Sequence, residues 1–263
     1  MAIGFRAASI SVYGAASVTP AIPASQVTTD MMLLFAYGKP FGAGWSVATS
    51  GWTALGSAAS GSTAAGVDTG SMKMQVWYKE ALIDTEADPT VTEGSPVWNV
   101  VGASIAVFSK AVGETWETPT VVYGADEVSG TSVSATMSAD NSVAAGDSLV
   151  AAIGTNSDAM GPFGTATTYT QTGATFGGLS NLVDDETVTG GDMAAQVTRR
   201  AVTAGASSAA AVITATGTAS GGADRTEVGY VRLRVSTPAT AIPFTAEPRI
   251  IRRSTRKSSR FPG

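Results

Sequence analysis

Four consecutive residues, Gly146-Asp147-Ser148-Leu149, match the pattern that holds the nucleophile in a large class of serine esterases. The chemistry would be acyl transfer from an activated hydroxyl, and that needs a base within hydrogen-bonding reach to take the proton. In that class the base is a histidine, and this chain contains none. A nucleophilic role for Ser148 therefore has no proton acceptor of the usual kind. The alternative is local. Asp147 is a turn residue whose short carboxylate bonds nearby backbone, and Ser148 opens a strand.

Other chemistry is narrowed in the same way. The chain has no cysteine, so disulfides and thiolates are absent, and with histidine also missing the common ligands of catalytic metal sites are gone. Carboxylates remain. Asp184, Asp185 and Glu186 in "VDDETV" form the densest acidic cluster, which brings to mind either paired carboxylates for glycoside hydrolysis or oxygen ligands for calcium. No aromatic residue flanks them to stack on a sugar, and adjacent acids in what reads as a Gly-rich turn are solvated, so neither a catalytic nor a metal site is assigned. No cofactor is expected. Trp77 and Tyr78, adjacent on one expected strand, face opposite sides, one for the core and the other exposed or at an interface.

The last chemistry-bearing stretch is the C-terminal arm. From Pro238 onward there are six basic residues, Arg249, Arg252, Arg253, Arg256, Lys257 and Arg260, against Glu247 alone. The arm is thus +5 and the body −10, from 10 basic and 20 acidic residues. Cations could neutralise phosphates, but nucleic acid would be repelled by the body. Ile250, Ile251 and Phe261 give the arm apolar anchors among its cations. That combination suits docking on an acidic neighbouring subunit, so Arg249, Ile250, Ile251, Arg252, Arg253, Arg256, Lys257, Arg260 and Phe261 are the expected partner-docking residues.

The elements that would position these groups read as strands. Only 14% of residues are charged while 44% are apolar, and Gly, Ala, Ser and Thr dominate. This composition suits a β protein with many tight turns and lacks the low hydrophobicity of disorder. The longest apolar run, "MMLLFAY" (31–37), is too short to cross a membrane, so no membrane insertion is expected. The N-terminal stretch imitates a signal peptide but alternates like a strand.

Three pairs of segments correspond in order. "TTDMMLLFAYG" parallels "AAGDSLVAAIG", with Asp30 and Asp147 each preceding the apolar run. "MQVWYKEA" parallels "AQVTRRAV", matching Gln75 to Gln196, and "VVGASIAVFS" parallels "EVGYVRLRVS". The expectation is a duplicated β-sandwich: all-β, two jelly-roll-like repeats in tandem over 1–115 and 116–237, then the extended basic arm 238–263. One larger jelly roll with similar halves is the alternative.

"TDMMLLFAYG", "GWTAL", "MQVWYKEA" and "ASIAVFSKA" together resemble a β-sandwich pattern of structural proteins of tailed bacteriophages and prophages. The resemblance covers about 5–236 and is weaker in the second half, where the Gly-Trp-Thr element is missing. It implies a non-enzymatic virion component made in the host cytoplasm: a capsid decoration or head fibre protein, or a minor tail protein. Its expected partners are other virion proteins, such as major capsid or tail proteins, and further copies of itself, with a trimer the first expectation. The alternative is a carbohydrate-binding adhesin of a tail fibre or tip that recognises a host surface glycan. The motifs mark a fold more than an activity, and no site residue is carried over from them.

Overall fold

The computed structural model describes residues 3–39, 44–66, 69–94, 100–128, 132–137, 141–156, 163, 166–188, 192–217 and 225–237. The described chain is built from strands. The first half contains β1 (Gly4–Ala8), β2 (Val12–Gly14), β3 (Ser17–Val18), β4 (Met31–Lys39), β5 (Trp45–Val47), β6 (Thr53–Gly66), β7 (Thr69–Glu80), β8 (Val91–Glu93) and β9 (Val100–Ser109). A two-residue strand, β10 (Thr115–Trp116), leads into the second half: β11 (Thr120–Asp126), β12 (Ser132–Thr136), β13 (Val143–Ala144), β14 (Ser148–Thr155), β15 (Thr168–Gln171) and β16 (Ala174–Phe176). There follow β17 (Ser180–Thr187), β18 (Met193–Ser207), β19 (Ala211–Thr216), β20 (Thr226–Leu233) and β21 (Val235–Ser236).

Each half folds into a large and a small antiparallel sheet. The first large sheet runs β1-β9-β4-β7-β6 and the second β11-β20-β14-β18, with β17 also on β18; the small sheets run β3-β8-β5 and β12-β19-β15. Read in chain order, β1, β3, β4, β5, β6, β7, β8 and β9 occupy the same places as β11, β12, β14, β15, β17, β18, β19 and β20. The fold is therefore all-β, with two jelly-roll-like sandwiches in tandem.

The register makes the correspondence residue-specific. Ala36 on β4 faces Gln75 and Ala103, and Ile153 on β14 faces Gln196 and Val228. Each of these central residues lies five beyond the start of its strand, so Gln75 and Gln196 hold equivalent positions. The third pair of segments needs a correction of two residues. Val228 takes the place of Ala103, where the sequence match had aligned it with Val101. A slip of two residues leaves every side chain on its original face, so the alternation of polarity could not detect it.

Among the described residues, three apolar cores stack through the molecule. Val18, Trp45 and Val91 of the first small sheet pack on Met32, Leu34 and Ala36. Val133, Tyr169 and Ile213 of the second pack on Leu149, Ala151 and Ile153. Between the large sheets, Leu33, Phe35 and Tyr37 meet Val150, Ala152, Val197 and Val231 in a core to which both repeats contribute. Strands β4 and β14 are thus covered on both faces, which is why they read as continuous apolar runs rather than alternating ones. Trp77 enters the outer core and Tyr78 packs against the shared one, so the second face of that strand is an interface between repeats.

Equivalent positions also meet each other. The Lys39 ammonium, fully buried at the end of β4, donates to the carbonyl of Asn156, the residue 117 further on that ends the matching strand region. Contact between equivalent positions is the mark of an approximate two-fold relation, here with its axis along β4 and β14. Both strands consequently begin at the same end of the molecule. The arm 238–263, with all nine expected docking residues, lies outside the described residues.

Candidate functional site

The turn before β14 shows what the Gly-Asp-Ser-Leu stretch does. Gly146 takes φ +99°, a conformation glycine adopts without steric cost, and its amide donates to Val202. The Asp147 carboxylate accepts the Ala144 amide at 2.8 Å and both Nε and Nη2 of Arg234 at 2.7 Å. A bidentate guanidinium on a nearly inaccessible carboxylate is the strong form of an ion pair. Arg234 holds its proton above the ordinary range, first because of this hydrogen bond.

Ser148 is buried at the start of β14, and its Oγ accepts the Arg199 Nε–H at 2.7 Å. Arg199 also donates to the carbonyl of Ile3, joining the second repeat to the N-terminal segment of the first. Burial pushes the Arg199 pKa down from its usual value. A cation beside Oγ would favour an alkoxide, but the carboxylate adjacent in the chain, Asp147, is engaged by Arg234 and the Ala144 amide and makes no bond to Ser148 among the described contacts. Two shallow cavities of about 320 and 300 Å³ flank the turn, one lined by Ile3, Ser148, Arg199 and Thr203, the other by Ala144, Arg234 and Val235. Asp147 borders both. The geometry is that of a clasp.

The first repeat contains the same clasp without any nucleophile. Asp30 accepts the Val27 amide at 2.9 Å and binds Arg6 through both carboxylate oxygens, at 2.6 and 3.0 Å. The strand that follows opens with Met31, fully enclosed in the shared core. The arginines were not legible as partners, because Arg6 arrives from β1 and Arg234 from the residue after β20.

The acidic cluster lies on strand β17, a correction to its reading as a turn. Asp184 and Asp185 are successive strand residues and so point to opposite faces. Asp184 accepts the Phe163 amide and the side chains of Asn181 and Gln196. Asp185 accepts the Ser11 amide at 2.7 Å and ties the two repeats together. The pair cannot converge on one ion or one glycosidic bond. Among the described residues no three acidic groups gather as a metal site.

Beside Asp185, a buried hydroxyl chain runs from Ser11 Oγ to Tyr37 and on to Ser104 at 3.4 Å. Burial raises the Tyr37 phenol to about 12 and lifts Tyr13 still further. Lys73, over the Trp45 ring at 5.5 Å, is lowered by burial. The hydroxyl chain ties β4 and β9 of one sheet to the segment before β2, and Lys73 over Trp45 joins the large sheet to the small one.

Compared with known proteins, the chain matches no family model, no curated protein and no solved structure.

Proposed function

We propose that this chain is a non-enzymatic structural protein of a phage virion, a capsid decoration, head fibre or minor tail protein, attached to the particle through its basic C-terminal arm. The observation that carries the reading is the tandem pair of jelly-roll-like sandwiches fused through one shared core. Jelly rolls recur in viral capsids, although the same fold also serves lectins and enzymes. The polar groups that imitate an active site support a structural role, since Asp30, Asp147, Asp184 and Asp185 are all engaged in holding turns or repeats. Incorporation is the test. Particles assembled with a chain ending at Thr237 should lose the protein, while antibody labelling of particles carrying the full chain should decorate a defined part of the head or tail. Normal incorporation of the shortened chain would refute attachment through the arm, and an absence of the full chain from particles would refute the virion role itself.

A further inference from the structure

The end of the first repeat, where Thr29 bonds Ala81, Lys110 and Trp116, exposes four apolar side chains. Leu82 is 76% exposed, Ile83 54%, Val112 fully exposed and Val27 38%. These side chains stand on tethered backbone. The Leu82 amide donates to Glu86 Oε1 at 2.7 Å, the Ile83 carbonyl accepts Gln26 Nε2 at 2.7 Å, and the Thr29 amide donates to Ala81 beside them. The register of the repeats puts Thr203 and Ala204 at the positions of Leu82 and Ile83, so the fold does not require apolar residues there. A built, exposed patch of this kind marks a contact surface.

Two facts name its occupant. The first is charge. The three segments forming this end, 20–30, 79–90 and 109–118, hold seven acids, Asp30, Glu80, Asp84, Glu86, Asp88, Glu114 and Glu117, against Lys79, Lys110 and the Arg6 that holds the buried Asp30, a balance of −4. Residues 238–263 carry +5 and alternate cations with Ile250, Ile251 and Phe261. The second is place. The described chain ends beside the patch: Ser236 pairs with Thr115 and Val235 with Trp116, whose Nε1 donates to the Thr29 carbonyl at 2.8 Å. Lys110 bonds that same carbonyl and Glu80. Twenty-six residues can span about 85 Å when extended, so the arm reaches the patch with ample slack. Its tether holds it at an effective concentration on the order of millimolar.

We propose that the basic arm docks on this end of its own chain, with its apolar anchors on Leu82, Ile83 and Val112 and its arginines among the surrounding carboxylates. The free protein then masks its own arm, and any other binding surface must compete with this intramolecular one. The inference does not depend on the virion reading, and its test uses no particles. A photo-reactive benzoylphenylalanine replaces Phe261, and equal amounts of isotopically heavy and light chain are mixed and irradiated. Cross-linked peptides should join residue 261 to segments 79–90 or 109–118 of the same isotope class. Their yield should fall severalfold in raised salt, in the Leu82→Ser/Ile83→Ser/Val112→Ser variant, and in Ile250→Ser/Ile251→Ser, whose changes lie outside the sandwich. Mixed-isotope products would assign the patch to another copy's arm. That result would overturn the proposal, as would adducts scattered over other surfaces or a yield indifferent to both variants.

Discussion

Tyr37 and Gly154 occupy the same position in the two repeats and face each other across the shared core. Each is the seventh residue of its strand, and a Cβ added to Gly154 would lie 3.1 Å from the Cβ of Tyr37 and 2.7 Å from Cε of Met72. The largest fully buried side chain described in the first repeat is thus accommodated by the absence of any side chain in the other. This is how a duplicated sequence packs against itself along an approximate two-fold axis, where identical residues would collide or leave a void.

Gly154→Ala should therefore destabilise the protein. The methionine terminus can swing aside, but Tyr37 Cβ is fixed by its strand, so overpacking should cost about 1–3 kcal/mol. The smaller loss of unfolded-state entropy would offset part of that, by about 0.4–1 kcal/mol. Denaturant unfolding checks this through a lowered midpoint. A midpoint at or above that of the parent would mean that the repeats do not close tightly at this level.

The two aspartate clasps should matter equally, although only one sits in an enzyme-like motif. Asp147→Ala strands the Ala144 amide and a partly buried Arg234, and Asp30→Ala does the same to Val27 and Arg6. Each should cost about 2–3 kcal/mol, the penalty of leaving buried partners unsatisfied. Ser148→Ala removes one bond to Arg199 and should cost about 1 kcal/mol without altering any hydrolytic background measured on an activated ester. Loss of a real esterase rate in that variant would restore the catalytic reading of Ser148.

Thr29 and Gly146 give a sharper test, because the same turn is made by two different residues. Their φ angles are +73° and +99°, and their amides donate to Ala81 and Val202 in matching positions. A β-branched residue is strained in this region, whereas glycine is not. Thr29 is held there by the Trp116 and Lys110 bonds to its carbonyl. Thr29→Gly should stabilise by about 1 kcal/mol, and Gly146→Thr should destabilise by at least about as much, although nothing crowds a Cβ at Gly146. Thermal midpoints moving in the same direction for both variants would contradict the equivalence of the two turns.

What the sequence made legible follows from where each signal originates. The aspartate before each apolar run, and the glutamine opposite its sixth residue, are fixed by local turn and ladder geometry, so Asp30/Asp147 and Gln75/Gln196 could be paired by eye. The β9/β20 correspondence slipped by two residues because only polarity guided it. Arg6, Arg199 and Arg234 were invisible as clasp members, since each reaches its partner across neighbouring strands. The acids of "VDDETV" looked like a turn because Gly and Ser flank them, yet pairing with β18 holds them in a strand. Tertiary pairing overrode local composition there.

Alkaline titration tests the closure of the shared core, through Tyr13, Tyr37 and Tyr123, and of the second repeat's own core, through Tyr169 and Tyr230. Burial lifts the Tyr37 phenol from its ordinary value near 10 to about 12 and raises Tyr13, Tyr123, Tyr169 and Tyr230 further. The neutral phenol is thus favoured in the folded state. Its contribution is fully present below the unfolded value of about 10 and is lost as pH rises from there through the folded value. Five tyrosines acting in the same direction should make stability fall steeply above about pH 10. Phenolate absorbance should then rise in one cooperative step together with the loss of circular dichroism. Tyr37→Phe, which removes the bonds to Ser11 and Ser104, should lower neutral-pH stability by about 1 kcal/mol while making the fall of stability above about pH 10 shallower, because one coupled proton is gone. Gradual ionisation of Tyr13, Tyr37 and Tyr123 near pH 10 with the fold intact would show that water reaches the space between the repeats.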